Sequence, residues 1–310
     1  MAIIEPFRGV LPAMQVPFQS DGSIDEAELR RFTSWLAGHE GIGGLVTNGH
    51  TGEVFALSTA ERAEVTRIVA DEVQDRLPVI SGINCESIPE AVTHAGMAKE
   101  AGAKGLLIMP PHIWLRFGMR PEHVLKYFAA IGEAVNINLV VHIYPSWTKA
   151  SYSSRLLGQL AELPWVTTFK IGTREMSKYV RDIAAIRAAD PRCTILSCHD
   201  EYLLPTLVQG VDGALVGFAS LIPEMITALY QSVCDGDLKK AQEIQSRINV
   251  LKEVVYSKGE PSSDAHARMK VAMNLCGRMN STTVRPPIEL PQGEVYEAIA
   301  AAVKEAGLMQ

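Results

Sequence analysis

The sequence predicts a (β/α)8 TIM barrel of the α/β class carrying a C-terminal helical appendage. Over roughly the first 235 residues, short apolar runs rich in β-branched residues alternate eight times with amphipathic stretches. That order means parallel strands joined by right-handed helical crossovers. Glycines also recur just before strands, as in Gly102-Ala103-Lys104-Gly105 and Gly210-Val211-Asp212-Gly213, where tight αβ loops would close a barrel floor. A doubly wound open sheet competes, but no Gly-x-Gly-x-x-Gly follows the first strand. The expected division is residues 1–235 for the barrel and its active site, and residues 236–310 for helices packed on it.

Taken in order, residues 9–18 are the first strand, with prolines near both ends, and Asp21-Gly22-Ser23 is a turn. Asp25 caps a helix to about residue 37. Residues 41–47 are the second strand, and Ser58 caps a helix to about residue 73. Strands three to eight fall at residues 78–82, 105–109, 138–144, 166–171, 194–197 and 213–217. Their helices fall at 89–99, 121–135, 153–163, 177–188, 202–208 and 223–234. Beyond residue 235 the pattern is helical only, at 238–256, 264–276 and 294–306, with Val284-Arg285-Pro286-Pro287 as an extended link.

A hydrophobic content of 47% and a charged content of 21% are those of an ordinary globular protein with a large core. The net charge of −6 argues against a nucleic-acid or anionic-membrane surface. No apolar run approaches the roughly 20 residues of a membrane span, and the N-terminus lacks an export signal, so a cytoplasmic setting is expected. The five cysteines show no Cys-x-x-Cys spacing, so neither a disulfide framework nor a zinc ribbon is indicated.

In a barrel, function sits at the C-terminal ends of the strands. Lys170 ends the sixth strand on that face, whereas Lys104 precedes a strand and Lys99, Lys126 and Lys178 fall on helices. Burial lowers a lysine's pKa, as a Schiff-base nucleophile requires; the plainer alternative is a lysine paired with a neighbouring carboxylate. His50, His112, His142 and His199 fall at or just after strands two, four, five and seven, and all four are expected at one mouth. His142 and Lys170 lie on adjacent strands. His39, His94, His123 and His266 fall on helices or helix ends, as solvated or packed residues. After the second strand, Gly49-His50-Thr51-Gly52-Glu53 combines tight backbone curvature with amides able to bind an anion such as a carboxylate, and Glu53 buttresses that loop. Gly217, ending the eighth strand, is a further binding position.

These motifs resemble the dihydrodipicolinate synthase and N-acetylneuraminate lyase family. Gly49-His50-Thr51-Gly52-Glu53 is similar to its Gly-Thr-Thr-Gly-Glu loop, and Thr59-Ala60-Glu61-Arg62, Pro145-Ser146-Trp147-Thr148, Phe169-Lys170 and Arg285-Pro286-Pro287 follow in the family's order. The resemblance spans about residues 8–290. It implies a homotetramer built as a dimer of dimers and a class I mechanism without metal or other cofactor, in which the lysine forms an imine with a 2-oxo acid. The departures matter as much. The family's catalytic tyrosine, three residues before the strand-five proline, corresponds to His142, with Tyr144 one residue before Pro145. The arginine that binds the aldehyde's carboxylate in the synthases corresponds to Trp147. The loop's first threonine is His50, and the tyrosine lent to a neighbouring subunit is His112.

The expected function is therefore a lyase acting on pyruvate or a related 2-oxo acid, with an aldehyde as second partner, by aldol cleavage or condensation through a Lys170 imine. His142 is the expected acid/base because an imidazole titrates near neutrality; Tyr144 replaces it if the strand carries a local shift or bulge. Thr51 and the amides near His50 would hold the carboxylate, and Trp147 suggests an apolar or aromatic second substrate. Dehydration or deamination by the same enamine chemistry is the alternative. A metal-dependent barrel using His50, His112, His142, His199 and Asp200 is another, and a non-catalytic binding protein a third.

Overall fold

The structure is a computed structural model that describes residues 5–146, 148–200, 202–256 and 263–309. Eight parallel strands form the barrel: β1 (Gly9–Pro12), β2 (Leu45–Thr47), β3 (Val79–Ile83), β4 (Gly105–Ile108), β5 (Asn138–Ile143), β6 (Val166–Ile171), β7 (Thr194–Ser197) and β8 (Gly213–Val216). Between and after them run α1 (Glu26–Ala37), α2 (Thr59–Val73), α3 (Ile88–Glu100), α4 (His112–Phe117), α5 (Pro121–Val135), α6 (Ser154–Ala161), α7 (Met176–Ala189), α8 (Leu203–Leu207), α9 (Phe218–Leu221) and α10 (Pro223–Cys234). The chain continues as α11 (Leu238–Val255), α12 (Ala265–Leu275) and α13 (Glu294–Glu305). No helix among the described residues is long and apolar enough to cross a membrane.

Local chemistry starts the helices where the sequence places them. Asp25 accepts the Glu28 amide at the head of α1, and Ser58 and Glu61 form a reciprocal capping box on α2. The first strand is shorter than expected, because Pro12 has no N–H to extend the ladder. Beyond it only Ala13 N to Val216 O (3.1 Å) and Met14 N to Val46 O (2.9 Å) continue the pairing. The turn Val54–Ala56 and helices α4 and α9 lie in the loops after β2, β4 and β8. They were not expected, being too short to show a helical period.

Each neighbouring pair from β2 to β8 is parallel, and β1 pairs with β8 from Gly9↔Gly213 to Pro12↔Val216. Two isolated bridges, Val10↔Ile42 and Ala13↔Val46, join β1 to the β2 side and complete the ring. Inside it, Leu11, Val46, Ile80, Leu107, Val140, Leu196 and Leu215 pack on one another, with Phe7 beside them. The opposite strand faces pack with the helices in a second, larger core. The β1–β8 seam requires glycine: a Cβ on Gly213 would lie 2.0 Å from the Gly9 carbonyl oxygen.

Replacing Gly213 by alanine is expected to lower the urea midpoint, at a cost on the order of 2–3 kcal/mol, as overpacking does. Gly96 lies inside α3 with nothing within 4 Å of the methyl that an alanine would add. Gly96→Ala should instead stabilise by about 0.5–1 kcal/mol through helix propensity. Equal effects of the two substitutions would contradict the seam argument.

Candidate active site

Strand alternation decides what reaches the barrel mouth. On β5, Val140 faces the barrel interior, so His142 and, just past the strand end, Tyr144 share that face while Ile143 belongs to the outer core. On β6, Thr168 accepts the Phe7 amide (3.2 Å) from inside, and Lys170 follows two residues on. His142 and Lys170 are direct register partners. The pairing of β5 with β6 slips between Leu139 and Val140, so an irregularity does occur, below the mouth. Among the described residues no carboxylate lies within ion-pair distance of Lys170.

The Tyr144 hydroxyl lies 2.9 Å from His50 Nε2, and the His142 ring sits 4.8 Å from that of Tyr144 and 5.7 Å from that of His50. Cys198, inward on the β7 side after Leu196, places its Sγ 3.8 Å from His142 Nε2. Phe55 stacks on His50 at 5.4 Å and borders His112 at 4.9 Å. His112 opens α4 at the rim, where both oxygens of Glu86 hold the His112 and Ile113 amides at 2.9 Å. Trp147 lies outside the described residues.

The loop after β2 is anchored rather than loose. Asn48, at φ 55°, donates its amide to Arg62 O (2.8 Å), Ser81 Oγ (2.9 Å) and Thr66 Oγ1 (3.0 Å). The turn then closes through Gly52 N to Gly49 O and Glu53 N to His50 O, bonds that engage neither the His50 nor the Thr51 amide. Gly217 lies against Thr51: a Cβ there would sit 3.1 Å from Thr51 Oγ1. The Gly217 amide is bonded to the half-buried Asp200 carboxylate (3.2 Å), which also takes the Phe218 amide (2.6 Å). Gly217 thus offers space next to Thr51 rather than a free donor.

The C-terminal helices hold this loop from behind. Lys270 on α12 is fully buried and forms an ion pair with Glu53, while its ammonium also donates to Thr283 O at 2.8 Å. Burial pulls the Lys270 pKa down, and Glu53 opposes that pull. Arg285 grips both oxygens of Glu61 and the Ala56 carbonyl, holding the Glu61 carboxyl down to about 2. Two motifs distant in sequence, around residues 59–62 and 285–287, therefore meet beside the loop.

Four expectations need correction. His199 does not face the mouth. Alternation turns it outward from Cys198, and its ring lies 5.6 Å from Tyr179 on α7. Nor do His50 and His142 titrate near neutrality. Burial, then the Lys170 charge, pushes His50 down to about 3 and His142 well below its ordinary 6.5. His199 is pushed to about 3 by burial and Arg174. Burial also lifts the Tyr144 hydroxyl well above its ordinary range. His50, His142 and Tyr144 are hence a neutral, desolvated set at neutral pH. His266 was expected to be an ordinary helix residue. It comes off α12 close enough for its charge to couple with both His50 and Lys170, and burial pushes it down to about 4. No local motif marks it; only the packing of the C-terminal helices brings it to the site. The five-residue metal reading fails on geometry, since His199 faces α7 and Asp200 is taken up by two backbone amides.

A model of the family described as "Dihydrodipicolinate synthetase family" matches residues 6–306. A 4-hydroxy-tetrahydrodipicolinate synthase of Acidiphilium cryptum is 31% identical over 306 residues, covering 98% of this chain and 99% of the relative. One from Anaplasma marginale is 30% identical over 299 residues, covering 96% and 92%. An uncharacterised DapA-like lyase of Thermofilum pendens is 29% identical over 97% of this chain and 98% of its own. Among solved structures, a monomeric dihydrodipicolinate synthase variant aligns with a TM-score of 0.89 at 23% identity, covering 98% of each chain. A prophage protein from E. coli K12, solved in complex with pyruvate, aligns at 0.88 and 24%, covering 97% and 99%.

Two outcomes follow from these contacts. Lys270→Met would strand the Glu53 carboxylate in the interior and should cost about 3–5 kcal/mol in chemical denaturation, most of it recovered in the Lys270→Met/Glu53→Gln double variant. Second, a histidine held below 6.5 in the fold binds its proton only on unfolding, so its contribution is complete above pH 6.5 and is lost as pH falls toward its folded value. Urea midpoints should decline from about pH 6.5 toward pH 4.5, with each of His50, His142, His199 and His266 adding up to about 1.4 kcal/mol per pH unit. His199→Phe should flatten that slope by one proton; an unchanged slope would contradict its burial in the neutral form.

Proposed function

We propose that this chain, which belongs to the dihydrodipicolinate synthetase family, joins pyruvate or a related 2-oxo acid to Lys170 as an imine and makes or breaks a C3–C4 bond. It is an enzyme of class I aldolase-type lyase chemistry, as its family is. The observation that carries the substrate reading is Lys170 itself: inward on β6, opposite His142, with no carboxylate within ion-pair distance among the described residues and with His50 and His142 held neutral beside it.

In cleavage, the Lys170 amine attacks C2 of the 2-oxo acid and water leaves, giving an iminium. The substrate carboxylate lies against the Thr51 hydroxyl and the His50 and Thr51 amides, Gly49 leaving room for its approach. A base takes the proton of the C4 hydroxyl, the C3–C4 electrons pass into the iminium, and an aldehyde departs. The enamine is then protonated at C3 and hydrolysed. Tyr144 is the group we assign to move those protons, with His50 Nε2 as its partner at 2.9 Å. His142 orients the imine from the facing strand. Phe55, 59% exposed beside His50 and His112, supports an apolar or aromatic portion in the second substrate. A homotetramer, with His112 at the edge of a shared mouth, completes the proposal.

Incubation with pyruvate followed by borohydride should add one reduced pyruvate to the intact protein, mapping to Lys170 and absent from Lys170→Ala. Activity that survives in Lys170→Ala but is abolished by a chelator would overturn the imine. Tyr144→Phe should lower kcat by about 10²–10⁴-fold, the usual span of general acid–base assistance, while still forming the borohydride adduct. A His142→Phe variant that loses as much while Tyr144→Phe loses nothing would move the proton role to His142.

A further inference from the structure

Away from the barrel mouth, we propose that Cys85, Glu90 and His94 bind a zinc ion. Cys85 lies two residues beyond β3 and is buried, and Glu90 and His94 stand four residues apart on one face of α3, over the turn that presents the thiol. One donor atom from each lies within 4.8 Å of the others. Cys85 Sγ and His94 Nδ1 are 3.3 Å apart. Two ligands of tetrahedral zinc, with Zn–S of about 2.3 Å and Zn–N of about 2.0–2.1 Å, stand about 3.5 Å from each other, so little movement is needed.

The surroundings favour the same assignment. His94 Nε2 lies 2.9 Å from Thr59 Oγ1. A proton on Nε2 donated to that hydroxyl leaves the Nδ1 lone pair directed at the thiol, the arrangement that outer contacts impose on metal-binding histidines. A thiolate and a carboxylate balance the charge of a divalent ion, and the sulfur–nitrogen–oxygen donor set suits zinc rather than magnesium or calcium. Three protein donors leave the fourth position for water on the Glu90 side, which is exposed. The ion would pin the β3–α3 turn. The next residue in that turn, Glu86, holds the two amides that open α4, and the Cys85 carbonyl accepts the Tyr127 hydroxyl at 3.2 Å. This site is separate from the barrel mouth and stiffens its rim.

The test uses the full-length protein, stripped with EDTA, given zinc and desalted. About one zinc per chain should remain by elemental analysis, and cobalt(II) in its place should show a thiolate-to-metal charge-transfer band. Cys85→Ser should abolish the band and the retained zinc, whereas Cys234→Ser, at an exposed cysteine, should keep both. Thr59→Val should weaken zinc by about 10–100-fold, the usual effect of losing an outer hydrogen bond to a ligating histidine. Absence of zinc and of the cobalt band in the unaltered protein, or equal retention by Cys85→Ser, would overturn the site and leave a Cys85 S–H to His94 hydrogen bond alone.

Discussion

Parity along the barrel strands governs this molecule. In a closed barrel each strand has one face toward the interior and one toward the helices, and successive residues alternate between them. Val140, His142 and Tyr144 share one parity, as do Thr168 and Lys170, and Leu196 and Cys198. A slip by one residue on β5 would replace His142 at the mouth with Ile143. The apolar interior below is what fixes the phase, so the packing of Val140, Leu196 and Leu215 decides which polar groups can meet Lys170.

Desolvation then sets the character of the group so assembled. An imidazolium removed from water beside the Lys170 ammonium is unfavourable twice over, so His50 and His142 stay neutral. A phenol denied solvent likewise keeps its proton. His50, His142 and Tyr144 therefore offer Lys170 hydrogen-bonding groups that carry no charge. In the mechanism proposed above, proton movement between Tyr144 and His50 would pass between neutral partners, with no need to create a charge on the imidazole beforehand. The bare expectation that histidine brings near-neutral titration holds for a solvated ring, and these rings are not solvated.

Much of the fold could be read from the chain because it is written locally. Apolar runs, caps such as Asp25 and Ser58, and glycine-marked turns each act within a few residues, and the strand containing Lys170 was legible for that reason. The facing of side chains was harder: His199 ends the same strand region as Cys198, and only one parity reaches the mouth. Groups brought in by tertiary packing were harder still. His266 and Lys270 belong to a helix whose seat against the barrel has no local signature, and the Asp200 carboxylate finds its amides on a different loop. The short helices α4 and α9 are made by loop geometry and carry too few residues to display a period.

Lys270 with Glu53 holds the loop after β2 to the C-terminal segment, and Arg285 with Glu61 holds α2 to it. Residues 53 and 61 leave the ribosome early, and their cationic partners emerge more than two hundred residues later. During synthesis the barrel strands can pair in order, but the loop's buried carboxylate has no counter-ion until α12 is made. The chain therefore withholds a finished site from its own nascent form, and any product truncated before residue 270 carries the 49–53 loop without the ammonium that anchors it.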